Sequence, residues 1–298
     1  MKNSGNQGIR RIRKRFSRIS LKKGFFSILF FIILSVIGSY LVVNEFDLDS
    51  SWQNIIISYA VYVTPFLLII WVLRETNQPF SFIVKGDSDE LSQVFIAIPL
   101  IIISIGVAWM VILVLNEISA GAADNYLNWL SNTELFKFGP ETTLLQYVLF
   151  LGMITVVAPV VEEIIFRGIM IERIGAKYNY SWAIVISSVI FGILHSEPVG
   201  AFISGVVLSL VYLKTRSLII PILIHIANNS IASFFIIADE TFVFSNSRWE
   251  TTEPYISNAW VGILLFTAGI GWLSWYLKHN WKNVVEQQGF KLKAEKNE

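Results

Sequence analysis

The sequence predicts an all-α protein, a multi-pass transmembrane helical bundle of about eight spans. Two observations carry that fold class. Hydrophobic residues make up 54% of the chain and charged residues 15%, well below the roughly 25% charged of a soluble domain, and the mean hydropathy is +0.59. Apolar runs also recur at about 20 residues, the length at which a helix crosses a ~30 Å hydrocarbon core. The 10 Trp, 10 Tyr and 22 Phe suit membrane interfaces, where amphipathic rings collect.

The first apolar window, 24–43, comes after nine Lys or Arg within the first 23 residues (Lys2, Arg10, Arg11, Arg13, Lys14, Arg15, Arg18, Lys22, Lys23), with no acid among them. A basic segment directly before an apolar helix fixes the orientation of that helix with the basic side in the cytoplasm. The run is too long for a signal-peptide core and lacks a small-residue cleavage site, so it reads as a retained first span. The next windows are 54–73 and 91–115. The connection 116–143 contains AADNYLNWLSN, which reads either as a short interfacial helix or as a plain connector. Then come windows at 144–171, 181–196, 198–213, 217–238 and 258–277. The fifth and sixth are short and are parted only by Ser196-Glu197-Pro198, which predicts a tight helical hairpin with its turn near or inside the far membrane surface.

Threading eight spans from a cytoplasmic N-terminus gathers Arg74, Lys85, Arg173, Lys177, Lys214, Arg216 and the C-terminal lysines on the cytoplasmic side. Only Lys137 and Arg248 fall outside, while Glu45, Asp47, Asp49, Glu117, Asp124, Glu134, Glu141, Asp239, Glu240, Glu250 and Glu253 line the outer connections. The expectation is a cell-membrane protein with both termini cytoplasmic. The bilayer is its solvent, and no nucleic-acid partner is expected. The absence of cysteine excludes disulfides, a thiol nucleophile and zinc sites built on sulfur.

Charged groups at membrane depth are costly and usually face a polar cavity or a partner. The fourth window holds three, in VVAPVVEEIIFRGIM. Glu163 and Arg167 stand four residues apart on one helical face, where they can pair. Glu162 points about 100° away and needs a partner from another helix. Two of the three histidines, His195 and His225, also lie in spans. At ~1.5 Å per residue, Glu162 lies about 20 Å from the cytoplasmic end of its helix and His195 about 21 Å along its own, so the two are level. Asn229 comes one turn after His225 and shares its face, which offers an amide beside an imidazole as hydrogen-bond donors. A single cavity opening toward the cytoplasm is the expected home for all of them.

EEIIFR (Glu162, Glu163, Arg167), FGILH (Phe191, His195) and HIANN (His225, Asn229) resemble the motifs EExxxR, FxxxH and HxxxN of the CAAX-protease and bacteriocin-processing family of intramembrane proteases, which includes the prenyl-protein endoprotease Rce1. The resemblance covers roughly 143–240. It divides the chain into a basic cytoplasmic arm (1–23), three N-terminal spans (24–142), a protease-like core (143–240), and a last span with a basic tail (241–298). It implies a conical cavity open to the cytoplasm and a catalytic set of Glu162, Glu163, His195, His225 and Asn229, supported by Arg167 and Phe191. In that scheme Glu162 and His195 activate water for peptide-bond hydrolysis. His225 and Asn229 stabilise the oxyanion, and Glu163 with Arg167 holds the helix and its electrostatics in place.

No HExxH, GxSG or GxGD motif is present for zinc, serine or aspartyl intramembrane proteolysis. Zn²⁺ or another divalent ion has candidate ligands in Glu162, His195 and His225. Metal-free chemistry is favoured, because a Glu-His pair can activate water unaided and the i, i+4 His pair of zinc-protease helices is missing. The expected substrate is a membrane-associated peptide or protein. The competing functions are a non-proteolytic membrane scaffold or bacteriocin self-immunity protein of the same family, and a proton-relaying transporter.

Overall fold

The structure, a computed structural model, describes residues 21–46, 48–76, 88–133, 142–238 and 251–296. The basic arm before Leu21 and the connections holding Asp47, Lys85, Lys137, Glu134, Glu141, Asp239, Glu240, Arg248 and Glu250 lie outside the described residues. The described residues form helices α1 (Leu21–Glu45), α2 (Ser50–Thr76), α3 (Ala97–Ile118, led in by a 3₁₀ segment from Ser88) and α4 (Ala120–Thr133). They continue through α5 (Leu144–Lys177), α6 (Tyr180–Ile193), α7 (Pro198–Thr215), α8 (Ile219–Ala238) and α9 (Ala259–Lys296). No strand occurs among the described residues.

Helix occupies each of the eight apolar windows, but the fifth ends at Ile193, so His195, expected within a span, lies in the turn that follows it. Five helical stretches are long and apolar enough to cross a membrane: Ser51–Trp71, Glu90–Ile118, Leu144–Lys177, Pro198–Thr215 and Ala259–Lys282. Phe30–Glu45, Tyr180–Ile193 and Ile219–Phe235 are shorter apolar helices. The connection after the third window is helical, as α4, with Ala123 and Leu127 turned inward.

Local signals set the helix ends. Thr143 and Gln146 form a capping box that starts α5. The Asn179 side chain accepts from the Trp182 amide to start α6. Glu197 does the same for α7 through the Gly200 amide at 3.0 Å, with Pro198 at the first helical position. Arg216 ends α7 in the left-handed conformation, φ 56°.

The central element is α7. In its apolar window 61% of residues are buried, against 17% to 39% for the other long stretches. It packs along α6 and touches α3, α8 and α9, while α3 runs along α9 and α1 along α2. Helices in lipid approach closely where residues are small. A Cβ at Gly106 of α3 would stand 2.5 Å from the Phe266 backbone nitrogen of α9, and one at Gly205 would stand 2.9 Å from Ser188 Cβ of α6.

Helix α5 is not a regular α-helix. Residues Met153–Val157 and Ile164–Ile171 are π-helical, and between them lies a short α stretch, Ala158–Glu163. Such segments change the angular phase of the helix beyond them and are frequent at functional sites.

Where α5, α6 and α7 end near one another, Glu172 gathers a buried polar cluster. Its Oε1 accepts from Arg216 Nη1 at 2.5 Å and from the Tyr212 hydroxyl at 3.1 Å, and its Oε2 accepts from the Tyr180 hydroxyl at 3.2 Å. Burial acts to lower the affinity of Arg216 for its proton, but Glu172, Tyr180 and Tyr212 outweigh it and hold the guanidinium above its ordinary value. The surrounding residues Ile174, Tyr180, Val211, Leu213, Leu218 and Ile220 are all buried, so this end of the bundle is closed.

Candidate active site

The polar residues singled out in the sequence converge where α2, α5, α6 and α8 meet. Glu163 is fully buried and Arg167 is 1% exposed. Arg167 Nη1 donates to Glu163 Oε1 at 2.7 Å, and its other terminal nitrogen reaches the Gly205 carbonyl at 3.5 Å. The guanidinium also lies 4.5 Å from the ring centre of Phe191, a cation–π contact that fits the poor hydration of arginine. Phe191 thus stacks between Arg167 and the imidazole of His195, whose ring centre is 4.3 Å away.

Glu163 Oε1 has a second partner, His225 Nδ1, at 2.9 Å. A carboxylate there takes the Nδ1 hydrogen and turns Nε2 inward. His195 is fixed the same way, with Nδ1 2.6 Å from the Phe191 carbonyl. Both Nε2 atoms then face Glu162 Oε2, at 3.8 Å from His195 and 3.9 Å from His225. Those gaps are too long for direct hydrogen bonds and leave room for a bridging atom. The other oxygen of Glu162, Oε1, accepts from the Tyr62 hydroxyl of α2 at 2.5 Å.

A cavity of about 180 Å³ adjoins this cluster, lined among others by His195, Ser196, Glu197, Ser204, His225 and Asn229. Glu162 is not one of its lining residues and meets it through the two imidazoles. The Asn229 amide nitrogen donates to the Ile154 carbonyl at 2.9 Å, within the first π segment, which leaves one amide hydrogen for another acceptor. A larger apolar groove of about 540 Å³ between α3 and α9, lined by Phe95, Pro99, Ile102 and Trp272, holds no ionisable side chain.

The floor of the cavity beside His195 and His225 is Leu100, Leu208 and Ile224, each 1% exposed or less. Its exposed and half-buried wall is Ser196, Glu197, Ser204, Asn228 and Asn229. On α3, α7 and α8 alike, the step from floor to rim leads away from Lys177, Lys214 and Arg216. The mouth therefore lies at the α6–α7 turn, at the other end of the bundle from Lys177, Lys214 and Arg216. The depths explain this. Groups about 20 Å from one face of a ~30 Å core are nearer the other face.

Among the described residues no group of three or more His, Cys, Asp or Glu side chains is arranged to hold a metal ion. Glu162, His195 and His225 are near one another without forming a ligand shell.

Sequence reasoning missed Tyr62, Glu197 and Ser104, the last of which lines the cavity from α3. Tyr62 carries a weak signal, because Tyr59 and Tyr62 put two phenols on one face of an otherwise apolar span. Glu197 was visible only as part of a helix break, and Ser104 as one small residue among aliphatics.

With this geometry in place, comparison with known proteins is informative. Residues 144–231 match the family model described as type II CAAX prenyl endopeptidase Rce1-like. The chain is 35% identical over 79 residues to a putative membrane peptidase, YdiL, of Bacillus subtilis, covering 26% of this chain and 32% of that protein. It is 32% identical over 97 residues to the membrane-embedded CAAX protease MroQ of Staphylococcus aureus, covering 29% and 39%. A 24.3 kDa uncharacterised protein of Escherichia coli is 24% identical over 148 residues, covering 47% and 64%. The aligned stretches thus span about a third of the length of the first two relatives. No solved structure matches. Residues 144–231, which hold the paired acids, both membrane histidines and Asn229, are thus similar to the Rce1-like family of CAAX-protease-related membrane proteins.

Proposed function

We propose that this protein is an intramembrane endopeptidase that hydrolyses a peptide bond of a membrane-associated peptide or protein. The observation that carries the reading is the approach of two imidazole Nε2 atoms to one oxygen of Glu162, at 3.8 and 3.9 Å, beside a cavity that reaches the surface. A water held between them gives a proton to Glu162 Oε2 while its oxygen attacks the scissile carbonyl carbon. The carbonyl oxygen becomes an oxyanion. Charge there is met by the free amide hydrogen of Asn229 and by a His225 that enters the reaction as imidazolium and keeps both its protons, Nδ1–H on Glu163 and Nε2–H toward the oxyanion. Collapse of the tetrahedral species breaks the C–N bond, and the proton passes from Glu162, or through His195, to the leaving nitrogen.

Glu163 acts through His225 rather than on the substrate, since it is fully buried and off the cavity wall. The family likeness supports hydrolysis, and the names of the B. subtilis and S. aureus relatives agree with it. In the bilayer, all eight apolar helices cross and both termini lie on the basic, cytoplasmic side. On that threading the cavity mouth faces the opposite side of the membrane.

The test is to express Glu162→Gln and His195→Gln, singly and together, at matched levels and compare peptides accumulating in each culture. Each single variant should lose nearly all cleavage, and the pair should lose little more, because groups acting in one transition state are not additive. Full activity of the double variant would leave a non-proteolytic scaffold as the better reading.

A further inference from the structure

Two tyrosines of α2 donate to α5, one turn apart. Tyr59 gives its hydroxyl hydrogen to the Leu149 backbone carbonyl at 2.8 Å, a helix-to-helix tie of ordinary kind. Tyr62 gives its hydrogen to Glu162 Oε1 at 2.5 Å. Tyr62 lies outside the family-matched segment 144–231.

We propose that Tyr62 is a positioning residue for the hydrolytic reaction, holding one oxygen of Glu162 so that the other alone faces the two imidazoles. The inference rests on the hydrolase reading. A carboxylate has two equivalent oxygens and a soft terminal torsion, so an untethered Glu162 would present either oxygen over a range of angles. A donor at Oε1 fixes the plane of the group and occupies a lone pair there. Oε2 remains open, with His195 and His225 as its nearest ring nitrogens at 3.8 and 3.9 Å. Tyr62 also makes α2 a working part of the site. The matched segment alone contains the acids and the imidazoles but not the group that orients them.

The experiment uses the full chain purified in nanodiscs and the peptide it cleaves fastest from a synthetic library of membrane-protein tails. Wild type, Glu162→Gln, Tyr62→Phe and Tyr59→Phe are compared for kcat, KM and thermal midpoint. Tyr62→Phe should lower kcat about 10- to 100-fold with KM changed less than about twofold and the midpoint unmoved, as expected when a reacting group loses its alignment. Tyr59→Phe should leave kcat unchanged. An unaltered kcat in Tyr62→Phe, or a loss that tracks the midpoint as in Tyr59→Phe, overturns the proposal while cleavage by wild type and silence of Glu162→Gln keep the hydrolase reading intact. If wild type cleaves nothing, the proposal falls with that reading. A second readout does not depend on cleavage. Dicyclohexylcarbodiimide modifies membrane-embedded carboxyl groups, and mass mapping should show Glu162 modified several-fold faster in Tyr62→Phe than in wild type. Equal rates overturn the contact itself.

Discussion

Two carboxylates of α5, ten residues apart, have opposite surroundings. At Glu172 both oxygens are held, Oε1 by Arg216 and Tyr212 and Oε2 by Tyr180, and the residues around it are buried. At Glu162 one oxygen is held by Tyr62, while the other has its nearest nitrogens at 3.8 and 3.9 Å beside a cavity. A carboxylate held at both oxygens and closed off from any cavity serves as a joint between helices. A half-saturated one retains basicity in a fixed direction. On the proposed chemistry the reactive acid is marked by what it lacks, and Glu163, held by Arg167 and His225, belongs between the two.

The largest change in stability is expected at the intermediate case. Arg167→Ala leaves Glu163, 0% exposed, with His225 as its remaining partner, and should cost about 3 to 5 kcal/mol of unfolding free energy. Denaturation of the purified protein in mixed micelles measures this, and a loss under about 1 kcal/mol would mean that Glu163 does not depend on Arg167.

A smaller loss is expected at the saturated end. Arg216→Ala removes a guanidinium that is 23% exposed and leaves Glu172 with two phenol donors, so about 1.5 to 3 kcal/mol is expected, with cleavage per folded molecule unchanged. Loss of activity without loss of stability would break the assignment of that end as purely structural.

The smallest perturbation tests direction. The chain has no cysteine, so Ser196→Cys at the mouth and Ser217→Cys at the closed end can be introduced on a clean background. An impermeant thiol reagent added outside intact cells should modify the first and not the second, with stability and activity little altered. Modification of Ser196→Cys only after the membrane is opened would place the mouth on the cytoplasmic side.

Much of this architecture was legible because hydropathy reports membrane depth. A helix lies in every apolar window, and the hairpin turn falls at the Ser196-Glu197-Pro198 break, beginning two residues earlier at Leu194. The i, i+4 spacing of Glu163 and Arg167 announced their contact. What hydropathy does not encode is angular phase, so neither π segment was visible in the aliphatic runs that form them. Tyr62 stayed hidden because a phenol in a span is ordinarily read as packing or interface, and only its distance to Glu162 distinguishes it. The last helix also runs past the window that ends at 277, to Lys296, because Trp281, Val284 and Val285 return to the core.

The two π segments of α5 carry a further consequence. The helix that bears Glu162 and Glu163 is dimensioned by angle as well as by the thickness it crosses. Taking one residue out of 153–157 would shorten it by only about 1.5 Å, a trivial mismatch for a bilayer, but would turn both acids by about 100° relative to the helix start. Glu162 would lose Tyr62 and both imidazoles together. Along this stretch a change of count is expected to cost far more than a change of side chain, as a key tolerates wear on its shaft but not a shift in the order of its teeth.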